Sequence, residues 1–148
     1  MAMFKTIVWA TDGSENANRA LPVAKALLRE HGASLVVVHI VQRFATETGL
    51  AVHADEELVK ERLEQTVEEL SKEGFKATLR IVNHIGPQPA HEIANVARAL
   101  AADLIVIGTR GHTPIAGLLL GSVALRLLHV APCPVVAVPA IVQPVPAE

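Results

Sequence analysis

The run Asp103-Leu104-Ile105-Val106-Ile107-Gly108, followed after a loop by Gly121-Ser122-Val123, decides the fold of this chain. Consecutive apolar residues with no polar alternation suit a strand covered on both faces, the situation of strands inside a parallel sheet. Parallel strands need crossover connections, and a helix is the usual one. The chain here supplies it: a glycine-rich connection runs from Gly108 to Gly121, a short helix is expected from Ser122 to Val130, and Pro132 stops it. Val135 to Val138 then reads as another strand.

Toward the N-terminus the same alternation repeats. Phe4 to Ala10 (FKTIVWA) reads as a first strand ending at the turn Thr11-Asp12-Gly13-Ser14. Ala17, Ala20, Leu21, Ala24, Leu27 and Leu28 recur at helical spacing, with Ser14 as N-cap and Gly32 as stop. Ser34 to Val41 (SLVVVHIV) is a second strand, apolar enough to be central. A polar connection follows, and Asp55 is expected to cap a helix whose buried stripe is Leu58, Val59, Leu63, Val67 and Leu70. Glu56/Lys60 and Glu68/Lys72 form solvent-face pairs on it, and Gly74 ends it. Phe75 to Val82 alternates polar and apolar residues, the pattern of an edge strand. Pro89 opens a further helix with Ile93, Val96, Ala97 and Leu100 on one face.

Five strands separated by single helices imply an α/β fold, a three-layer, doubly wound, five-stranded parallel sheet. At 148 residues the chain is expected to form a single domain, residues 1–148, with 139–148 as an extended Pro-rich tail. Hydrophobic residues make up 51% and charged residues 19%, which excludes disorder for the bulk of the chain. Aromatic residues are 3%, with no Tyr, and the formal net charge is −2, so a base-stacking or phosphate-backbone nucleic-acid binder is disfavoured. The uncharged stretch Leu127 to Ala147 contains Pro132, Pro134, Pro139, Pro144 and Pro146, which a membrane-spanning helix would not tolerate together. No signal peptide is visible and Cys133 is the single cysteine, so a cytoplasmic protein without disulfides or membrane contact is expected.

Ligands in such sheets bind beyond the carboxyl ends of the strands, where the winding reverses. There, Gly108, Gly111 and Gly121 followed by Ser122 offer close backbone approach, amide N–H groups and the positive end of a helix dipole, which together suit a phosphate group. Neither GxxxxGK[ST] nor GxGxxG occurs in the chain, which disfavours a P-loop NTPase and a dinucleotide-binding dehydrogenase. Asp12, just past the first strand, fits either a ribose acceptor or a helix-entry residue. Ser122 can donate to a phosphate, cap its helix or do both, and Arg110, His112, Thr109 and Thr113 are phosphate partners or solvated loop residues. The seven histidines include no i, i+4 pair, so no protein-only metal site is expected. His39 is expected to be a hydrogen-bonded structural residue, and Cys133, between two prolines, a packing residue.

The spacing Gly108-x2-Gly111-x9-Gly121-Ser122 resembles the ATP-binding loop of the universal stress protein family. Thr11-Asp12-Gly13-Ser14, the Val-rich strand with His39, the run from Asp103 to Gly108 and the closing Cys133-Pro134-Val135-Val136-Ala137-Val138-Pro139 extend the resemblance over nearly the whole chain. It implies strand order 3-2-1-4-5, an adenine nucleotide alpha hydrolase-like fold, and a homodimer paired through the last strand. The full glycine pattern implies ATP binding, with Mg2+ or Mn2+ on the phosphates. Gly108, Thr109, Arg110, Gly111, Gly121, Ser122 and Val123 fall on the phosphate and ribose side, Asp12 on the sugar, and Ala10, Thr11 and Ile40 on the adenine side.

The function implied is a cytoplasmic, nucleotide-dependent regulatory module of the stress response with signalling partners not named by the sequence. A slow ATPase or phosphotransferase using the same site is the alternative, and a scaffold without nucleotide a third. No P-loop lysine and no evident base for water accompany the cradle, which favours binding over catalysis.

Overall fold

Thr6–Ala10, the first strand (β1), lies at the centre of the sheet because it is apolar on both faces: Ile7, Val8 and Trp9 are wholly inaccessible to solvent. The computed structural model describes residues 3–86, 88–109 and 120–139. Parallel to β1 run β2 (Ser34–Thr46) on one side and β5 (Leu104–Gly108) on the other, with Val8 opposite both Val36 and Ile105. Outside them lie β4 (Lys76–Ile85), parallel to β2, and β6 (Val135–Val138), parallel to β5. The parallel order β4-β2-β1-β5-β6 is the expected 3-2-1-4-5.

The pleat divides the core in two. Ile7, Trp9, Leu35, Val37, Leu104 and Val106 pack beneath Ala24 and Leu28 of α2 (Leu21–His31) and Val59, Leu63 and Leu70 of α3 (Glu56–Lys72). Val8, Ala10, Val38, Ile40, Ile105 and Ile107 face Ile93 and Ala97 of α4 (Ala90–Ala99) and Ala124 and Leu127 of α5 (Ser122–Val130). Each fully buried branched side chain contributes about 1.5–3 kcal/mol, which makes this double burial the main force behind the three layers.

Several expectations are corrected. The segment expected as a polar connection after Val41 continues β2 to Thr46, turns through Glu47 and Thr48, and returns as a sixth, antiparallel strand, β3 (Gly49–Ala51), pairing Phe44 with Ala51. Gly49 sits at φ 126°, a conformation open to glycine, and Thr46 Oγ1 donates to its carbonyl at 2.7 Å. The first helix is two: α1 (Glu15–Asn18), capped by Ser14, and then α2, because Pro22 has no N–H with which to continue the ladder. Leu58 is 47% exposed, since it lies one residue off the Val59-Leu63-Leu70 stripe. Asp55 makes no capping bond, because its backbone is near-helical (φ −93°, ψ 4°) rather than extended. Glu56 turns inward instead of pairing with Lys60, whereas Glu68 and Lys72 do pair, at 3.3 Å.

Asp103 fixes the strand that decides the fold. Its Oδ2 accepts the backbone N–H groups of Thr6 (2.9 Å) and Lys5 (2.8 Å), binding the start of β5 to the start of β1. These two amides hold its carboxyl below the usual range, Thr6 foremost. A depressed value in the fold means that the stabilisation is complete above the unfolded value of about 3.9 and fades as pH falls through the folded value. Asp103→Ala is therefore expected to lower the urea midpoint at pH 7, with the gap to the parent closing below about pH 4. A gap unchanged at lower pH would show that the charge plays no part.

Candidate functional site

The turns that follow β1 and β5 converge beyond the carboxyl ends of those strands, against the middle of the longer β2. After β1, Thr11 N–H donates to Val38 O at 2.9 Å, extending the ladder by one residue. Thr11 Oγ1 then accepts from Gly13 N–H (3.0 Å), Asp12 Oδ1 from Ser14 N–H (2.9 Å), and Ser14 Oγ from Ala17 N–H (3.1 Å). Asp12 thus has the helix-entry bond, and the residue also lines the cavity described below. Gly13 has φ +80°, and a Cβ there would lie 2.7 Å from Val59 Cγ1, so glycine is what allows α3 to close over this turn.

His39, in the middle of β2, is 2% exposed. Its Nδ1 lies 2.9 Å from Thr11 O, which can only accept, so this nitrogen donates. Its Nε2 is 2.8 Å from Glu56 Oε2, with one proton held between them. The ring is satisfied at both nitrogens and ties the first turn of α3 to the end of β1, the structural role expected for His39. Glu56 was hidden from sequence reasoning because its spacing to Lys60 offers a sufficient surface pairing.

On the β5 side, Thr109 N–H donates to Val138 O at 2.9 Å, and Gly121 N–H donates to Thr109 O. Gly121, extended at φ −68° and ψ 163°, is the N-cap of α5, and Ser122 is the first helical residue rather than the cap. Gly121 has no side chain with which to cap, and among the described residues none bonds the first-turn amides of α5, which leaves them to a ligand or to water.

A cavity of about 470 Å³ opens where these turns meet. Of the residues singled out from the sequence, Ala10, Thr11, Asp12, Ile40, Gly108, Thr109, Gly121, Ser122 and Val123 line it. Arg110 and Gly111, with His112 and Thr113, lie outside the described residues. The sequence reading missed Val38, Gln42, His53, Glu56, Pro89 and Ile93 in the same wall. Pairing of β1 with β2 ends at Ala10 opposite Val38, and ladder alternation turns the N–H and C=O of Ile40 to the side that β1 has left. Those backbone groups therefore face the cavity. Among the described residues no group of three His, Cys, Asp or Glu side chains could hold a metal ion, and no helix is long and apolar enough to cross a membrane. Burial raises the pKa of the Cys133 thiol, with the Asp103 charge adding to it, which suppresses the nucleophilic thiolate.

A doubly wound parallel sheet with a mainly apolar cavity at its reversal point, edged by a few polar groups, is a ligand-binding α/β architecture. Residues 3–139 match the Universal stress protein family, and the chain belongs to that family. It is 39% identical over 140 residues to the universal stress protein in the QAH/OAS sulfhydrylase 3'region of Thermus aquaticus, covering 92% of this chain and 99% of that one. The solved structure of MJ0577 from Methanocaldococcus jannaschii superposes with a TM-score of 0.75 at 29% identity, covering 93% of this chain and 97% of that chain. A universal stress protein from Archaeoglobus fulgidus, solved in complex with dAMP, gives a TM-score of 0.65 at 28% identity, covering 93% and 98%.

Proposed function

We propose that the cavity binds ATP and that the protein is a nucleotide-dependent regulatory module of the stress response. The observation that carries this reading is the start of α5 at Gly121, uncapped by any described side chain, which lines the same cavity as Asp12. An anion is favoured at the helix start, and a carboxylate accepts from sugar hydroxyls and repels phosphate, so the two ends give a nucleotide one direction. Gly108, Thr109, Gly121, Ser122 and Val123 take the phosphates, joined by Arg110 and Gly111; Asp12 takes the ribose; Ala10, Thr11 and Ile40 face the base. The relative that binds dAMP supports an adenine nucleotide. Any Mg2+ or Mn2+ is carried by the phosphates, because the described residues offer no ligand set of their own.

Binding without turnover is the reading preferred over a slow ATPase, because His39, the buried histidine of the wall, has both ring nitrogens engaged. The working form is a cytoplasmic homodimer paired along β6. That strand is an edge of the sheet, and beside it Leu125 and Leu128 of α5 are 50% and 49% exposed.

Calorimetric titration of nucleotide-stripped protein tests the site. Micromolar or tighter ATP binding is expected, with a marked loss in Gly121→Val. Absence of binding in the parent protein, or identical isotherms for the two, would sink the proposal.

A further inference from the structure

We propose that Gln42 is the side chain that selects adenine over other bases, an inference that rests on the nucleotide reading above. Val38, Ile40 and Gln42 line the cavity at the two-residue period of one strand face. The polar groups around them are already committed: His39 to Thr11 O and Glu56, Thr11 Oγ1 to Gly13 N–H, and Asp12 Oδ1 to Ser14 N–H. The neighbouring Arg43 donates to Asn83 Oδ1 at 3.0 Å. The half-buried Gln42 carboxamide, by contrast, makes no hydrogen bond among the described residues.

Its place in the sheet gives that carboxamide a target. Sheet order sets β2, β1 and β5 side by side, so phosphates at β5 and α5 with a ribose on Asp12 after β1 bring the base against β2. The backbone of Ile40 faces one base edge, and Gln42 stands two residues further along. A carboxamide presents one acceptor beside one donor, which matches adenine N6–H and N7; guanine offers two acceptors, O6 and N7, at the same edge. His53, held beside Phe44 with ring centroids 5.6 Å apart, lines this end of the cavity and adds a flat face for the base.

The test titrates the full chain with ATP, GTP and 7-deaza-ATP, which lacks the N7 acceptor. The parent is expected to prefer ATP over GTP by roughly 5- to 100-fold and to bind 7-deaza-ATP more weakly than ATP by about 2- to 10-fold. In Gln42→Ala the 7-deaza penalty should vanish and the ATP preference narrow, and Gln42→Glu, of equal size but without a donor toward N7, should do the same. Either variant retaining both the preference and the penalty overturns the role of Gln42 while the nucleotide site stands. A parent protein that binds none of the three overturns the nucleotide reading, and this inference with it.

Discussion

Replacing Trp9 by alanine is expected to lower the unfolding free energy by about 3–5 kcal/mol, a large share of the roughly 5–15 kcal/mol typical of a folded domain. The side chain is wholly buried at the centre of β1, among Ala20, Leu35, Val37 and Val106, and Nε1 donates to Ala17 O at 3.3 Å. Truncation leaves a cavity, and it unfastens α1 from the strand beneath it. Trp9→Phe keeps most of the packing and loses that bond, so a smaller loss, about 1 kcal/mol beyond the change in volume, is expected. Trp9 is the single tryptophan, so circular dichroism rather than fluorescence must follow the urea transition. A loss below about 1 kcal/mol for the alanine variant would mean that the centre of the sheet tolerates a void that cores of this density do not.

The second large effect falls on ligand affinity. Asp12→Ala is expected to weaken ATP binding by about 10- to 100-fold, the range for hydrogen bonds to a charged group. The same change removes the bond from Ser14 N–H, so apo stability should fall by about 1 kcal/mol. Asp12→Asn separates the two roles, since it retains an oxygen for the turn and gives up the charge. Calorimetry alongside urea denaturation reads both. Reduced stability with ATP affinity held within about twofold would make Asp12 a turn residue only.

The sheet was legible because its signal is redundant. Leu104 to Ile107 and Ser34 to Val41 each carry enough branched apolar residues that no competing pattern fits, and glycines and prolines punctuate the chain around them. The named positions that line the cavity were legible for a related reason: the ends of parallel strands at a winding reversal are defined by topology alone. What escaped was set by long-range partners. Nothing near Glu56 in sequence points to His39, and the β2–β3 hairpin lacks the Asn-Gly or Asp-Gly turn that would mark it, using Glu47 and Thr48 instead. Gln42 and His53 were missed together because that hairpin was read as a polar connection. The helix bounds Ser122–Val130 were legible, but of the roles open to Ser122 the cap falls to Gly121, whose extended backbone places it there.

Thr109 has a consequence beyond the site it borders. Its N–H is fastened to Val138 and its carbonyl to Gly121 N–H, so the end of β5, the end of β6 and the start of α5 are clasped at a single backbone residue. One joint thus sets the start of the helix against two strands, so a shift at Thr109 moves all three together.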